Sequence, residues 1–120
     1  MNSYELKRTI PADDTYDVVV AGGGPGGCGA AICAAREGAR VLLLEATGCL
    51  GGMGTSALVS NWSALCTGTH TVLGGIMREI IETMHQRDQL PPHVTPAAWT
   101  EHFPGGTGFN PEGLKRLLDD

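Results

Sequence analysis

The stretch YDVVVAGGGPGG, residues 16–27, decides the fold of this 120-residue chain. Val18 to Val20 form a short β-branched run without polar alternation, which is typical of a parallel strand buried on both faces. Gly22, Gly24 and Gly27 then match the spacing G-x-G-x-x-G. Glycines at these places allow a tight turn, a close approach of the backbone to a pyrophosphate, and close packing of a helix on the strand. The stretch therefore predicts a strand, a phosphate-binding turn and the start of a helix.

A helix is predicted from Pro25 to Glu37. Its unsatisfied N-terminal amides and the positive end of its dipole would face an anion above the glycines. Pro25 suits the first turn because its missing N–H is not needed there, and Gly38 suits the C-terminal stop. The predicted phosphate-binding residues are Gly22, Gly24, Pro25, Gly26 and Gly27.

A second apolar run, from Val41 to Leu44, predicts another strand, and Glu45 follows it directly. Glu45 lies 23 positions after Gly22, near the spacing of about 20 at which a carboxylate binds the ribose diol of an adenine dinucleotide. The alternative is a glycine-rich turn followed by an unrelated surface glutamate, since 18 glycines produce chance spacings. The order of strand, glycines, helix, strand and acid favours dinucleotide binding over that alternative.

Three later features join this unit in resembling a known family. They are Glu45 at the end of the second strand, Gly51-Gly52 with Thr55-Ser56, and the segment FNPEGLK at residues 109–115. Together with residues 17–27 they resemble the N-terminal part of the FAD-dependent oxidoreductases. The likeness is greatest to the group that includes heterodisulfide reductase-like flavoproteins, and it extends over most of residues 16–119.

The resemblance implies further cofactor contacts after the second strand. In the family, the amides of a glycine doublet, here Gly51 and Gly52, meet the FAD pyrophosphate from the other side, and a hydroxyl such as that of Thr55 adds a contact. Ala46, next to Glu45, is counted with the cofactor-binding residues. Gly54 departs from the alanine common in similar proteins, and the alternative for the whole segment is a flexible glycine-rich loop.

The function implied by the resemblance is that of an FAD-dependent oxidoreductase, in which the flavin exchanges a hydride or electrons with a substrate. The segment after the doublet would line the flavin, with Ser60, Asn61 and Trp62 as candidates. Some family members carry [4Fe-4S] clusters, but no ligands for one are evident here. No catalytic acid or base is identified. The alternative function is a non-catalytic module that binds NAD or ADP-ribose.

The fold class expected is α/β, with a Rossmann-like βαβ unit and additional helices in an incomplete doubly wound domain. Residues 1–15 would be an N-terminal extension, and residues 16–120 a partial FAD-binding domain. An amphipathic helix is predicted over residues 73–89, a proline-rich loop after it, and a last helix capped by Asn110. Only two strands are predicted, so we expect a truncated piece of a larger enzyme, inactive alone, with a sheet edge and a helix face uncovered.

Charge and cysteine usage narrow the partners. A chain with a formal charge of -5 lacks the basic surface that nucleic acids require, and no signal peptide or membrane span is evident. The expected partners are FAD and a small-molecule substrate or electron-transfer partner, in the cytoplasm. The cysteines and histidines lack metal-site spacing, so no metal site is predicted and the thiols are expected to be reduced. These residues are Cys28, Cys33, Cys49, Cys66, His70, His85, His93 and His102.

Overall fold

The computed structural model describes residues 2–63, 66–95 and 106–120. The first unit is a strand, a helix and a strand: β1 at Val18–Ala21, α1 at Pro25–Arg36 and β2 at Val41–Leu44. β1 and β2 pair in parallel, with Val18 opposite Val41 and Ala21 opposite Leu44. The βαβ unit predicted from the sequence is thereby confirmed, and the fold class is α/β with a parallel, Rossmann-like sheet.

The end of α1 differs from the prediction by one residue. Arg36 is the last helical residue, and Glu37 is the C-cap, whose N–H bonds to the carbonyl of Cys33. Gly38 adopts a φ of 89°, a left-handed conformation that glycine adopts without steric cost. The predicted stop at Gly38 is therefore confirmed.

The two-stranded sheet is less buried than the sequence predicts. Val19 is 57% exposed, and Leu44 is also exposed, whereas Val18 and Val20 are half-buried. The expectation of a strand buried on both faces was wrong for these described residues. The physical reason is that α1 packs on one face of the sheet and no described element packs on the other.

The second helix, α2, extends over Ile76–Gln86, which is shorter than the predicted range of 73–89. Gly75, with a φ of 59°, is its N-cap, so Leu73 lies outside the helix. At the other end, Asp88 has a φ of 54°, which turns the chain away from the helix axis. Glycine and a left-handed residue thus set the helix limits more closely than the apolar periodicity does.

Two short strands that the sequence did not reveal form a second sheet. β3, Asn61–Trp62, pairs antiparallel with β4, Thr107–Gly108. The last helix, α3, extends over Pro111–Asp119. Its predicted cap is confirmed, because the side chain of Asn110 accepts the N–H groups of Glu112 at 3.0 Å and Gly113 at 3.3 Å.

The largest group of buried apolar side chains lies between α2, α3 and the loops beside them. We call this group the C-terminal core. The indole of Trp62 stacks on the ring of Phe109, with centroids 3.9 Å apart and an interplanar angle of 16°. The proline-rich segment after α2 is a loop, as predicted, but its Leu90 and Val94 are buried in this core. Its buried members are Ile81, Met84, Leu90, Val94, Phe109 and Leu114.

An ion pair connects the two units. The guanidinium of Arg36, at the end of α1, donates to both carboxylate oxygens of Glu79 in α2, at 3.0 and 2.6 Å. The pair is about half exposed, so its contribution to stability is small. Among the described residues, no helix is long and apolar enough to cross a membrane.

Candidate functional site

The glycine loop between β1 and α1 is a tight turn against the end of β2. Gly22 has a φ of 99°, and its N–H donates to the carbonyl of Leu44 at 2.7 Å. A Cβ added at Gly27 would overlap the carbonyl oxygen of Gly22. Two of the glycines in the motif are therefore required by geometry, one for its positive φ and one for the close approach of helix and turn.

The N-terminus of α1 is open toward this loop. Gly24 is the N-cap and supplies no side-chain cap, and Pro25 occupies the first helical turn. The first bond of the helix joins the N–H of Cys28 to the carbonyl of Gly24, and the preceding amides of Gly26 and Gly27 have no acceptor in the part of the chain that the structure describes. A Cβ at Gly24 or Gly26 would meet nothing within 4 Å. The helix end thus offers free amides beside open space, which suits an anion.

The glycine doublet lies against the same loop. Gly51 and Gly52 have φ values of 96° and 51°, and a Cβ on Gly52 would lie 3.0 Å from the Cα of Gly24. The N–H of Gly51 donates to the carbonyl of Gly23 at 2.7 Å. The structure therefore brings together the two glycine segments predicted from the sequence. We call residues 22–27 with Gly51 and Gly52 the glycine cradle.

Glu45 lies at the carboxyl end of β2 beside the cradle. Its Oε1 accepts the N–H of Thr47 at 2.7 Å, and its Oε2 accepts the N–H of Gly23 at 2.6 Å. These hydrogen bonds, that of Thr47 first, lower the pKa of Glu45 below its ordinary value of 4.5. The side chain is therefore a carboxylate at neutral pH. The adjacent Ala46 is exposed, so both residues are accessible from the solvent side of the cradle.

Thr55 is 0% exposed. Its hydroxyl donates to the carbonyl of Leu50 at 2.5 Å, and a Cβ at Gly51 would lie 2.5 Å from its Cγ2. In this arrangement Thr55 shapes the turn that presents the doublet. A direct contact of its hydroxyl with a cofactor stays a prediction.

An apolar cavity of about 570 Å³ opens next to the cradle. Pro25 and Gly51 belong to both the cradle and the cavity wall, and the remaining wall comes mostly from α1, α2 and α3. Of the three residues predicted to line a flavin, Asn61 and Trp62 line this cavity, whereas Ser60 lines a smaller pocket beside Asp88. The volume is in the range of small-molecule sites.

The described cysteines and histidines do not converge on a site. All four cysteines are free thiols, and the buried Cys28 donates its thiol hydrogen to the carbonyl of Gly23 at 3.1 Å. Among the described residues, no group of three or more His, Cys, Asp or Glu side chains lies together in a way that could hold a metal ion. His102 lies outside the described residues.

The sequence reasoning missed the part played by Gly23. Its N–H, its carbonyl and its lack of a side chain are all used, since a Cβ there would lie 2.5 Å from Cδ2 of Leu50 and 3.0 Å from Oε2 of Glu45. The pattern G-x-G-x-x-G leaves this position open. The signal was the unbroken run from Gly22 to Gly24, one glycine more than the pattern needs.

Comparison with known proteins supports the cradle as a cofactor site. The model of a family described as FAD dependent oxidoreductase matches residues 17–120. Dihydrolipoyl dehydrogenase of Trypanosoma brucei brucei is 51% identical over 47 residues, which are 39% of this chain and 10% of that protein. The tRNA uridine 5-carboxymethylaminomethyl modification enzyme MnmG of Chlamydia trachomatis is 42% identical over 84 residues, covering 62% of this chain and 12% of that enzyme.

One solved structure is also similar. A 3-ketosteroid-delta4-(5alpha)-dehydrogenase from Rhodococcus jostii RHA1 is 32% identical, with 71% of this chain and 18% of that chain covered, at a TM-score of 0.33. This score is too low for the superposition to support further inference. The chain spans about a tenth of the length of the curated relatives that it matches.

Proposed function

This chain belongs to the FAD-dependent oxidoreductase family, and we propose that it forms the part of such an enzyme that holds the ADP half of FAD. The cofactor predicted from the sequence, FAD, is confirmed by the family. The broader prediction of an oxidoreductase agrees with that family and with the dehydrogenase among the curated relatives. The placement of individual FAD contacts is the proposal.

The observation that carries the proposal is the open space at the N-terminus of α1. It has unpaired amides from Gly26 and Gly27 on one side, and Gly52 approaches Gly24 on the other. Two backbone segments without side chains can approach a pyrophosphate from two directions, which any Cβ at the contact would prevent. The residues present therefore fit a dinucleotide.

The proposed contacts follow from this geometry. The pyrophosphate would lie over the cradle, and the carboxylate of Glu45, with Ala46 beside it, would face the adenosine ribose. Thr55 would support the doublet from below. The residues assigned to the cofactor are Gly22, Gly24, Pro25, Gly26, Gly27, Glu45, Ala46, Gly51, Gly52 and Thr55.

The bound flavin would supply the redox chemistry by exchanging a hydride or electrons with a substrate or an electron-transfer partner. The described residues bind and orient the cofactor, and none of them is assigned as an acid or base. The names of the relatives refer to different substrates, so the substrate is left open. Asn61 and Trp62, in the cavity wall beside the cradle, are proposed to approach the flavin half, and Ser60 is the third candidate.

The finer parts of the interpretation are also proposals. They are a cytoplasmic location, a domain that begins near residue 16 after an N-terminal extension, and inactivity of residues 1–120 in isolation. The likeness to heterodisulfide reductase-like flavoproteins rests on the FNPEGLK segment and the doublet. A [4Fe-4S] cluster rests on that likeness alone.

The test is flavin binding by the purified protein. We expect a yellow protein that releases FAD on denaturation, and FAD titration monitored by flavin fluorescence should show saturable binding. Glu45→Gln should weaken FAD binding roughly 10- to 100-fold, because charge-assisted hydrogen bonds to the ribose are lost. Glu37→Gln, an exposed residue at the end of α1, is the matched control. A colourless protein that binds NAD instead would contradict the proposal and favour the non-catalytic nucleotide-binding module.

A further inference from the structure

One carboxylate joins two loops at the cradle. Glu45 accepts a hydrogen bond from Gly23, in the glycine loop, at 2.6 Å and another from Thr47 at 2.7 Å. Thr47 lies in the turn that leads from β2 to the glycine doublet, and its hydroxyl donates to the carbonyl of Cys49 at 3.1 Å. Each carboxylate oxygen thus binds an amide of a different loop.

The contacts of Gly23 extend this connection to the doublet. Its N–H donates to Glu45, while its carbonyl accepts the N–H of Gly51 at 2.7 Å and the thiol of Cys28 at 3.1 Å. A movement of Gly23 would therefore displace Gly51 and the first turn of α1 together. The doublet is held in place through Gly23, without touching Glu45 itself.

We propose that Glu45 is a positioning residue that fixes the separation between the glycine loop and the Gly51–Gly52 doublet, in addition to its contact with the ribose. The inference rests on the proposed FAD function, because the separation matters for a pyrophosphate held between the two segments. Hydrogen bonds to an ionised acceptor are roughly twice as strong as neutral ones. A cradle held in its binding geometry in advance loses less entropy when the cofactor binds.

The electrostatics agree with this geometry. The pKa of Glu45 is lowered chiefly by the N–H of Thr47 and then by that of Gly23. The two loops therefore stabilise the charged form of the side chain, and by linkage the charged form stabilises the arrangement of the two loops.

The experiment is amide hydrogen exchange, measured by NMR on the cofactor-free protein. In Glu45→Gln, we expect exchange at Gly23 and Gly51 to accelerate about tenfold or more, since the charge that holds Gly23 is removed. Gly51 is the informative amide because it does not contact Glu45. Glu37→Gln should leave both rates unchanged. A role in ribose binding alone predicts no change in any rate without cofactor.

The outcomes separate this inference from the proposed function. Unchanged exchange at Gly51 in Glu45→Gln, together with weakened FAD binding, would overturn the positioning role and leave the FAD assignment in place. A wild-type protein that does not bind FAD would overturn the proposed function, whatever the exchange rates. If Glu45→Gln does not fold, Glu45→Asp decides: its shorter side chain keeps the charge but cannot reach both loops, so one of the amides at Gly23 and Thr47 should lose protection.

Discussion

The glycine cradle and the C-terminal core are held together by different forces. In the cradle, the contacts join backbone groups to one another or to a single carboxylate, as in the bonds from Gly51 to Gly23 and from Gly23 to Glu45. In the C-terminal core, apolar side chains such as Met84 and Val94 are completely buried. The βαβ unit contributes only Cys28 and Ala31 to the buried apolar residues among those described.

The difference separates binding from stability. A cradle made of backbone is sensitive to any added Cβ, and a core made of side chains is sensitive to lost volume. We therefore expect substitutions in the cradle to remove cofactor binding and substitutions in the core to lower the free energy of unfolding.

The largest effect is expected for Gly27→Ala. The added Cβ would overlap the carbonyl oxygen of Gly22, which belongs to the backbone and cannot move without opening the turn. FAD binding, measured by flavin fluorescence, should be lost. Gly29→Ala on the same helix is the matched control, because its Cβ meets nothing within 4 Å. It should stabilise α1 by about 0.5–1 kcal/mol, and equal FAD affinities in the two variants would contradict the comparison.

The next effect is expected for Met84→Ala in the C-terminal core. Met84 is 0% exposed, so its truncation leaves a cavity and should lower the free energy of unfolding by about 2–5 kcal/mol. The FAD affinity of the folded variant should be unchanged. Met53→Ala, at a residue that is 61% exposed, should change the unfolding free energy by no more than about 0.5 kcal/mol. Urea denaturation measures both, and similar losses in the two variants would show that the core does not stabilise the fold.

The smallest effect is expected for the cap of α3. Asn110→Ala removes the acceptor for the N–H groups of Glu112 and Gly113 and should lower the unfolding free energy by about 1 kcal/mol. Asn110→Asp keeps an acceptor and should restore most of this loss. Thermal unfolding would test the pair. A lower FAD affinity in Asn110→Ala, at unchanged folding, would instead connect α3 with the cradle.

The sequence by itself determined the βαβ unit and the two halves of the cradle. These features depend on local chemistry: positive φ at Gly22, close approach at Gly27 and the cap at Asn110 are set by a residue and its near neighbours. The spacing of glycines and acid could therefore be interpreted without knowing what packs around them. For the same reason, the predicted helix limits were right where a cap or glycine marked them.

Only the tertiary structure decided the contacts between distant segments. Trp62 pairs with Thr107 across β3 and β4 and stacks on Phe109, although no local pattern distinguishes these residues. The link from Glu45 to Gly23 likewise joins positions separated by a helix, and the exposure of Val19 depends on what covers the sheet. Such contacts form when the whole chain closes on itself and side chains compete for the same space, so local propensity does not specify them.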